Sequence, residues 1–121
     1  MSQSNKVLIC DDEEGIRESL KLILSDHYEL ILTDNGEGAI ACLDNNKTIG
    51  LVLLDVKMPK VNGLDILKAI KEKHPQMNVI MVTGYKLVET ASEAAKLGAV
   101  GYIVKPFEAK EILEAVRKNL K

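Results

Sequence analysis

Five short apolar runs recur along the chain, Val7 to Cys10, Glu29 to Leu32, Leu51 to Leu54, Val79 to Val82 and Tyr102 to Val104. They are apolar almost without interruption and do not alternate with polar residues. That is how strands look when both of their faces are covered, as in a parallel sheet flanked by helices. Between them lie segments of helical period. Ile16, Leu20, Ile23 and Leu24 share one face, as do Leu64, Leu67 and Ile70, and later Ile112, Leu113, Val116 and Leu120. A helix after each strand predicts a (βα)₅ α/β chain, and right-handed crossovers place its helices on both sides of one open, doubly wound, five-stranded parallel sheet. No boundary or repeat interrupts the pattern, and residues 1–121 suit one domain.

The fourth helical segment, Leu87 to Leu97, differs from the rest. It offers mainly Ala91, Ala94 and Ala95 where the others offer Leu and Ile. At about 25 cal/mol per Å² of apolar surface, the deficit amounts to a few kcal/mol, so this helix is expected to be the least firmly docked and the readiest to move.

Composition removes several classes of function. With 46% hydrophobic and 28% charged residues the chain is ordinary for a folded globular protein. Its formal net charge of -2 argues against direct binding of nucleic acid through a broad positive field. Cys10 and Cys42 stand in apolar and helical contexts without a CxxC or a nearby His pair, which predicts reduced, buried packing residues and neither a zinc nor a redox site. His27 and His74 read as helix-end residues. No run approaches a membrane span, and Met1 to Lys6 is polar with no signal-peptide core after it, so the expectation is a cytoplasmic chain without membrane association.

The chemistry gathers where the apolar runs end. Asp11 and Asp12 follow the first, Asp55 the third, Thr83 the fourth and Lys105 the fifth. In open parallel sheets that edge is where ligands bind. Taken alone, an Asp pair after a strand equally suits a helix cap or a turn, and a lysine is most often a solvated surface residue. Together, Asp11-Asp12, Asp55 followed by Met58-Pro59 and Gly63, Thr83-Gly84, and Lys105-Pro106-Phe107 resemble the receiver (CheY-like) domain of bacterial two-component response regulators, and the likeness covers nearly the whole chain. The resemblance implies the flavodoxin-like sheet order 2-1-3-4-5, the order of the chemotaxis receiver.

Three carboxylates crowded at the head of one sheet repel, at about 3 kcal/mol per pair for about 5 Å and an effective dielectric of about 20, unless a cation intervenes or a proton is taken up. Magnesium suits such a site, with manganese as a substitute. The resemblance assigns Asp12, Asp55 and the Lys57 backbone carbonyl as direct ligands and Asp11 as a ligand through water. It makes Asp55 the acceptor of a phosphoryl group from a sensor histidine kinase or phosphotransfer protein, with Lys105 and Thr83 assisting. It also implies a cis Lys105-Pro106 bond, a Thr83 and Tyr102 switch pair, and tuning of phosphoryl lifetime by Lys57 and Tyr85. The fourth helix, fifth strand and fifth helix become the face read by a downstream effector or a linked output domain, and the face through which two copies would pair.

On this reading the chain is a signalling switch and not an enzyme, catalysing only its own phosphorylation and dephosphorylation. Two alternatives remain open: a receiver-like interaction domain that takes no phosphate, and a magnesium-dependent aspartyl phosphohydrolase. The second would need an acidic residue two positions after Asp55, where Lys57 stands. A mononucleotide module is disfavoured, because no glycine-rich phosphate loop follows the first run.

Overall fold

A computed structural model describes residues 5–58, 61–84 and 87–120. The apolar runs form β1 (Lys6–Cys10), β2 (Glu29–Thr33), β3 (Ile49–Leu54), β6 (Val79–Thr83) and β7 (Gly101–Val104). Two further strands of two residues each, β4 (Lys57–Met58) and β5 (Val61–Asn62), pair antiparallel between β3 and the next helix. The five long strands make one parallel sheet in the order β2-β1-β3-β6-β7, which is 2-1-3-4-5 when they alone are counted.

Side chains leave a strand alternately to its two faces, and in β1, β3 and β6 both faces are buried. Leu8, Cys10, Val52, Leu54, Val79 and Met81 pack toward α2 (Gly36–Asn45), α3 (Gly63–Lys73) and α4 (Val88–Lys96). Val7, Ile9, Leu51, Leu53, Ile80 and Val82 pack toward α1 (Glu14–Leu24) and α5 (Ala109–Asn119). This explains the unbroken apolar runs. The pairing of β1 with β3 passes from Ile49 to Leu51, skipping Gly50. The extra residue brings Ile49 onto the face of Val52 and extends β3 two residues before the run that marks it in the sequence.

The helical stripes fall as their spacing predicts, with Leu20 and Leu24 of α1 and Ile112 and Val116 of α5 fully buried. Asn35 and Asn62 cap α2 and α3, their side chains accepting the backbone N–H groups of Gly38 and Leu64 at 2.6 and 2.8 Å. The weak docking expected of α4 is present. Of its residues only Ala94 is buried, whereas α3 buries Ile66, Leu67 and Ile70. One methyl group is worth about 0.8 kcal/mol of burial, against about 1.5–3 kcal/mol for each large side chain.

Candidate functional site

The sheet's hydrogen bonding runs one residue past the strand ends, and this sets the backbone of the pocket. Asp55 N–H donates to Cys10 O at 3.1 Å, Asp11 N–H to Thr33 O at 3.1 Å and Lys105 N–H to Thr83 O at 2.8 Å. Asp11, Asp55, Thr83 and Lys105 therefore line up along one edge of the sheet although up to 94 positions separate them. Asp12, Glu13, Asp55, Lys57, Met58, Thr83, Gly84 and Lys105 line a cleft of about 680 Å³ at this edge. Of these, Asp55 and Thr83 are buried, and Asp11 is buried beside them.

The Lys105 ammonium is the hub. Its Nζ lies 2.9 Å from Asp11 Oδ2, 2.9 Å from Glu13 Oε1 and 3.4 Å from Asp55 Oδ2. The other oxygens face backbone donors: Glu13 N–H reaches Asp11 Oδ1 at 2.9 Å and Lys57 N–H reaches Asp55 Oδ1 at 3.3 Å. Arg17 Nη1 donates to the Asp11 carbonyl at 2.7 Å, tying the loop after β1 to α1. The Lys105-Pro106 bond is cis, the isomer implied by the resemblance.

Charge and burial compete here. Burial pushes the Asp11 carboxyl above its ordinary value, aided by the nearby Asp55 charge, while the Glu13 N–H and Lys105 pull the other way. Burial works against the Lys105 ammonium, but hydrogen bonds to Glu13 and Asp11 and the carboxylate charges outweigh it and hold its pKa above the usual lysine range. Burial, then the Asp55 charge, raises the Tyr102 hydroxyl. Cys10, beneath the floor, is pushed up to about 12 by burial and the neighbouring carboxylates. Its thiol sits 3.9 Å from the Met58 sulfur, as a packing group. Cys42 is half-buried, more open than its sequence context predicts.

Asp11, Asp12 and Asp55 offer carboxylate oxygens that all lie within 4.8 Å of one another. An all-oxygen, densely anionic donor set on a fixed scaffold fits a small hard divalent cation. Of the other residues marked by the sequence, Thr83 ends β6 on the cleft floor, and Tyr102 pairs with Met81 in β7, half-buried against the core that carries α4. Tyr85 and Pro59 lie outside the described residues. Two participants escape sequence reasoning. Glu13 looks like one more exposed acid before a helix, and Arg17 binds a backbone carbonyl that leaves no trace in the residue pattern. His74 does end α3, but its Nε2 also meets Asp44 of α2 at 3.0 Å, and bonds from Lys73 and His74 hold that carboxyl below the usual range.

The open parallel α/β sheet in this order is a flavodoxin-like fold, with an acidic pocket and a lysine at its carboxyl edge. The family model described as the response regulator receiver domain matches residues 7–117. The response regulator protein FleR of Pseudomonas aeruginosa is 37% identical over 116 residues, covering 94% of this chain but 24% of its own length. Sporulation initiation phosphotransferase F of Bacillus subtilis is 36% identical over 118 residues, covering 97% of this chain and 94% of its own. The crystal structure of a CheY-like receiver domain protein from Methanospirillum hungatei superposes with a TM-score of 0.88 at 32% identity, covering 95% of this chain and 92% of that one. The chain belongs to the response regulator receiver family. It spans between about a quarter and a little over half of the regulators it matches first, from 24% to 57% of their length. Among the described residues no helix is long and apolar enough to cross a membrane.

Proposed function

We propose that Asp55 is the phosphoryl acceptor of this receiver and that its phosphorylation changes which partner surface the chain presents. The observation that carries the reading is a buried carboxylate, 3% exposed, on the floor of an open cleft and 3.4 Å from a lysine ammonium. An Asp55 carboxylate oxygen forms a bond to phosphorus as the bond from phosphorus to the donor's imidazole nitrogen breaks, leaving an acyl phosphate and a neutral histidine once that nitrogen takes a proton. Such transfer requires alignment and neutralisation of the equatorial oxygens more than covalent assistance. Lys105 supplies a fixed positive charge at the acceptor, and Thr83 a hydroxyl on the same floor. The backbone N–H of Lys57 orients the carboxylate by holding Oδ1.

Asp12, Asp55 and the Lys57 carbonyl would hold magnesium, or manganese in its place, with Asp11 acting through water. Bound there, the cation neutralises phosphoryl charge that one lysine does not cover. Lys57 and Tyr85 flank the acceptor and threonine in sequence and would tune how long the acyl phosphate survives. Thr83 and Tyr102 transmit the change toward α4, whose single buried residue lets it shift at low cost. The face of α4, β7 and α5 then serves an effector, an output domain or a second copy, with a sensor histidine kinase or phosphotransfer protein as donor.

Incubation with acetyl phosphate and magnesium, followed by intact-mass measurement, tests the acceptor. One phosphoryl group is expected on the wild type and none on Asp55→Asn. Equal gain by both proteins would overturn the assignment.

A further inference from the structure

Lys105 has three N–H donors, and the pocket holds three carboxylate oxygens against them. The two shorter contacts, at 2.9 Å, go to Asp11 and Glu13, and the longest, at 3.4 Å, to the acceptor Asp55. An ammonium so committed has no spare donor for the oxygens of an incoming phosphoryl group. One partner must yield, and the surroundings decide which. The Asp11 side chain is 3% exposed and would be left buried without its cation, whereas that of Glu13 is 59% exposed and can return to water.

We propose that Glu13 is a latch on Lys105: its carboxylate holds the ammonium in the unphosphorylated chain, lets go when a phosphoryl group arrives, and so sets the balance between the two states. This rests on Asp55 being the acceptor. Glu13 is a positioning residue that acts through Lys105. Its side chain is at liberty for the task, since it makes no capping bond to α1 although it occupies the cap position. Its reach to Lys105 spans 92 positions, so the contact exists only in the folded chain.

Removing the latch is worth an exposed ion pair, so Glu13→Gln is expected to raise the initial rate of labelling by acetyl phosphate about two- to fivefold. Glu14→Gln makes the same change of charge one residue away and should leave the rate at the wild-type value, which separates the latch from general repulsion of an anionic donor. In a Lys105→Met background, Glu13→Gln should have no further effect. A second readout needs no phosphoryl donor. The Lys105 Nζ signal in heteronuclear NMR of the metal-free protein should move in Glu13→Gln and stay put in Glu14→Gln.

An unmoved signal, equal rates for wild type and Glu13→Gln, or equal effects of the two Gln variants would each overturn the latch. If no variant is labelled at all, the acceptor assignment fails instead, and the NMR signal alone decides whether Glu13 holds the ammonium.

Discussion

Gly63, the first residue of α3, is where fold and site are most tightly joined, and Gly63→Ala should damage both. A Cβ built there lies 2.6 Å from Val56 Cα and 2.9 Å from the Asp55 carbonyl carbon, and closer still to the Asp55 carbonyl oxygen, where ordinary contact begins at 3.4 Å. These are backbone atoms, which cannot rotate away. Either α3 retreats or the chain just after β3 moves by roughly 1 Å, at a cost of about 1–3 kcal/mol for overpacking. The Gly63 N–H to Val56 O bond, 2.6 Å long, goes with it for about 1 kcal/mol more. A loss of about 2–4 kcal/mol lowers Tm by roughly 8–16 °C in a domain of this size. Because the displaced backbone belongs to Asp55, labelling by acetyl phosphate should slow about tenfold or more even below the melting range. Thermal denaturation and the labelling rate are the assays, with Gly15→Ala as the internal control. Nothing lies within 4 Å of a Cβ at Gly15 in α1, so that variant should be neutral or stabilised by up to about 1 kcal/mol. Indistinguishable melting and labelling for Gly63→Ala and wild type would refute the steric argument.

In metal-free buffer Asp11 should make stability depend on pH. Its carboxyl is raised in the folded state, so its favourable contribution is complete below the unfolded value of 3.8 and is lost as pH climbs through the folded value. Asp11→Asn should therefore gain on wild type between pH 4 and pH 7 in urea titrations with a chelator, and a constant difference would contradict the sign. Hydrogen exchange should be faster in α4 than in α3, since one buried alanine replaces three large side chains, and equal protection would show that α4 is anchored some other way. Alkylation of the native protein should reach the half-buried Cys42 well before Cys10, whose thiol is buried and raised to about 12; comparable rates would mean that the sheet end opens.

The inner strands were legible because both faces of the sheet are buried there, which makes their runs continuously apolar, whereas edge strand β2 leaves Glu29 and Leu32 exposed. Where that condition weakens, so does the signal. Gly50 breaks the apolar run of β3 and hides its first two residues, and β4 and β5 are too short to carry any period. The site was legible as polar residues following strands, since topology alone brings Asp11, Asp55, Thr83 and Lys105 to one edge. Glu13 and Arg17 were not, because nothing in local pattern tells an exposed helix-start acid from one that reaches Lys105, or a surface arginine from one that holds the Asp11 carbonyl.

The sheet also acts as a partition wall. Tyr102 and Ala94 lie in the compartment with α2 and α3, whereas the next residue along β7, Ile103, belongs to the one shared by α1 and α5. Among the described residues, the buried side chains behind α5 and those beneath α4 therefore fall in separate clusters. On the proposed reading, a change at the pocket would reach α4 through the compartment that holds Tyr102, and not through the one behind α5.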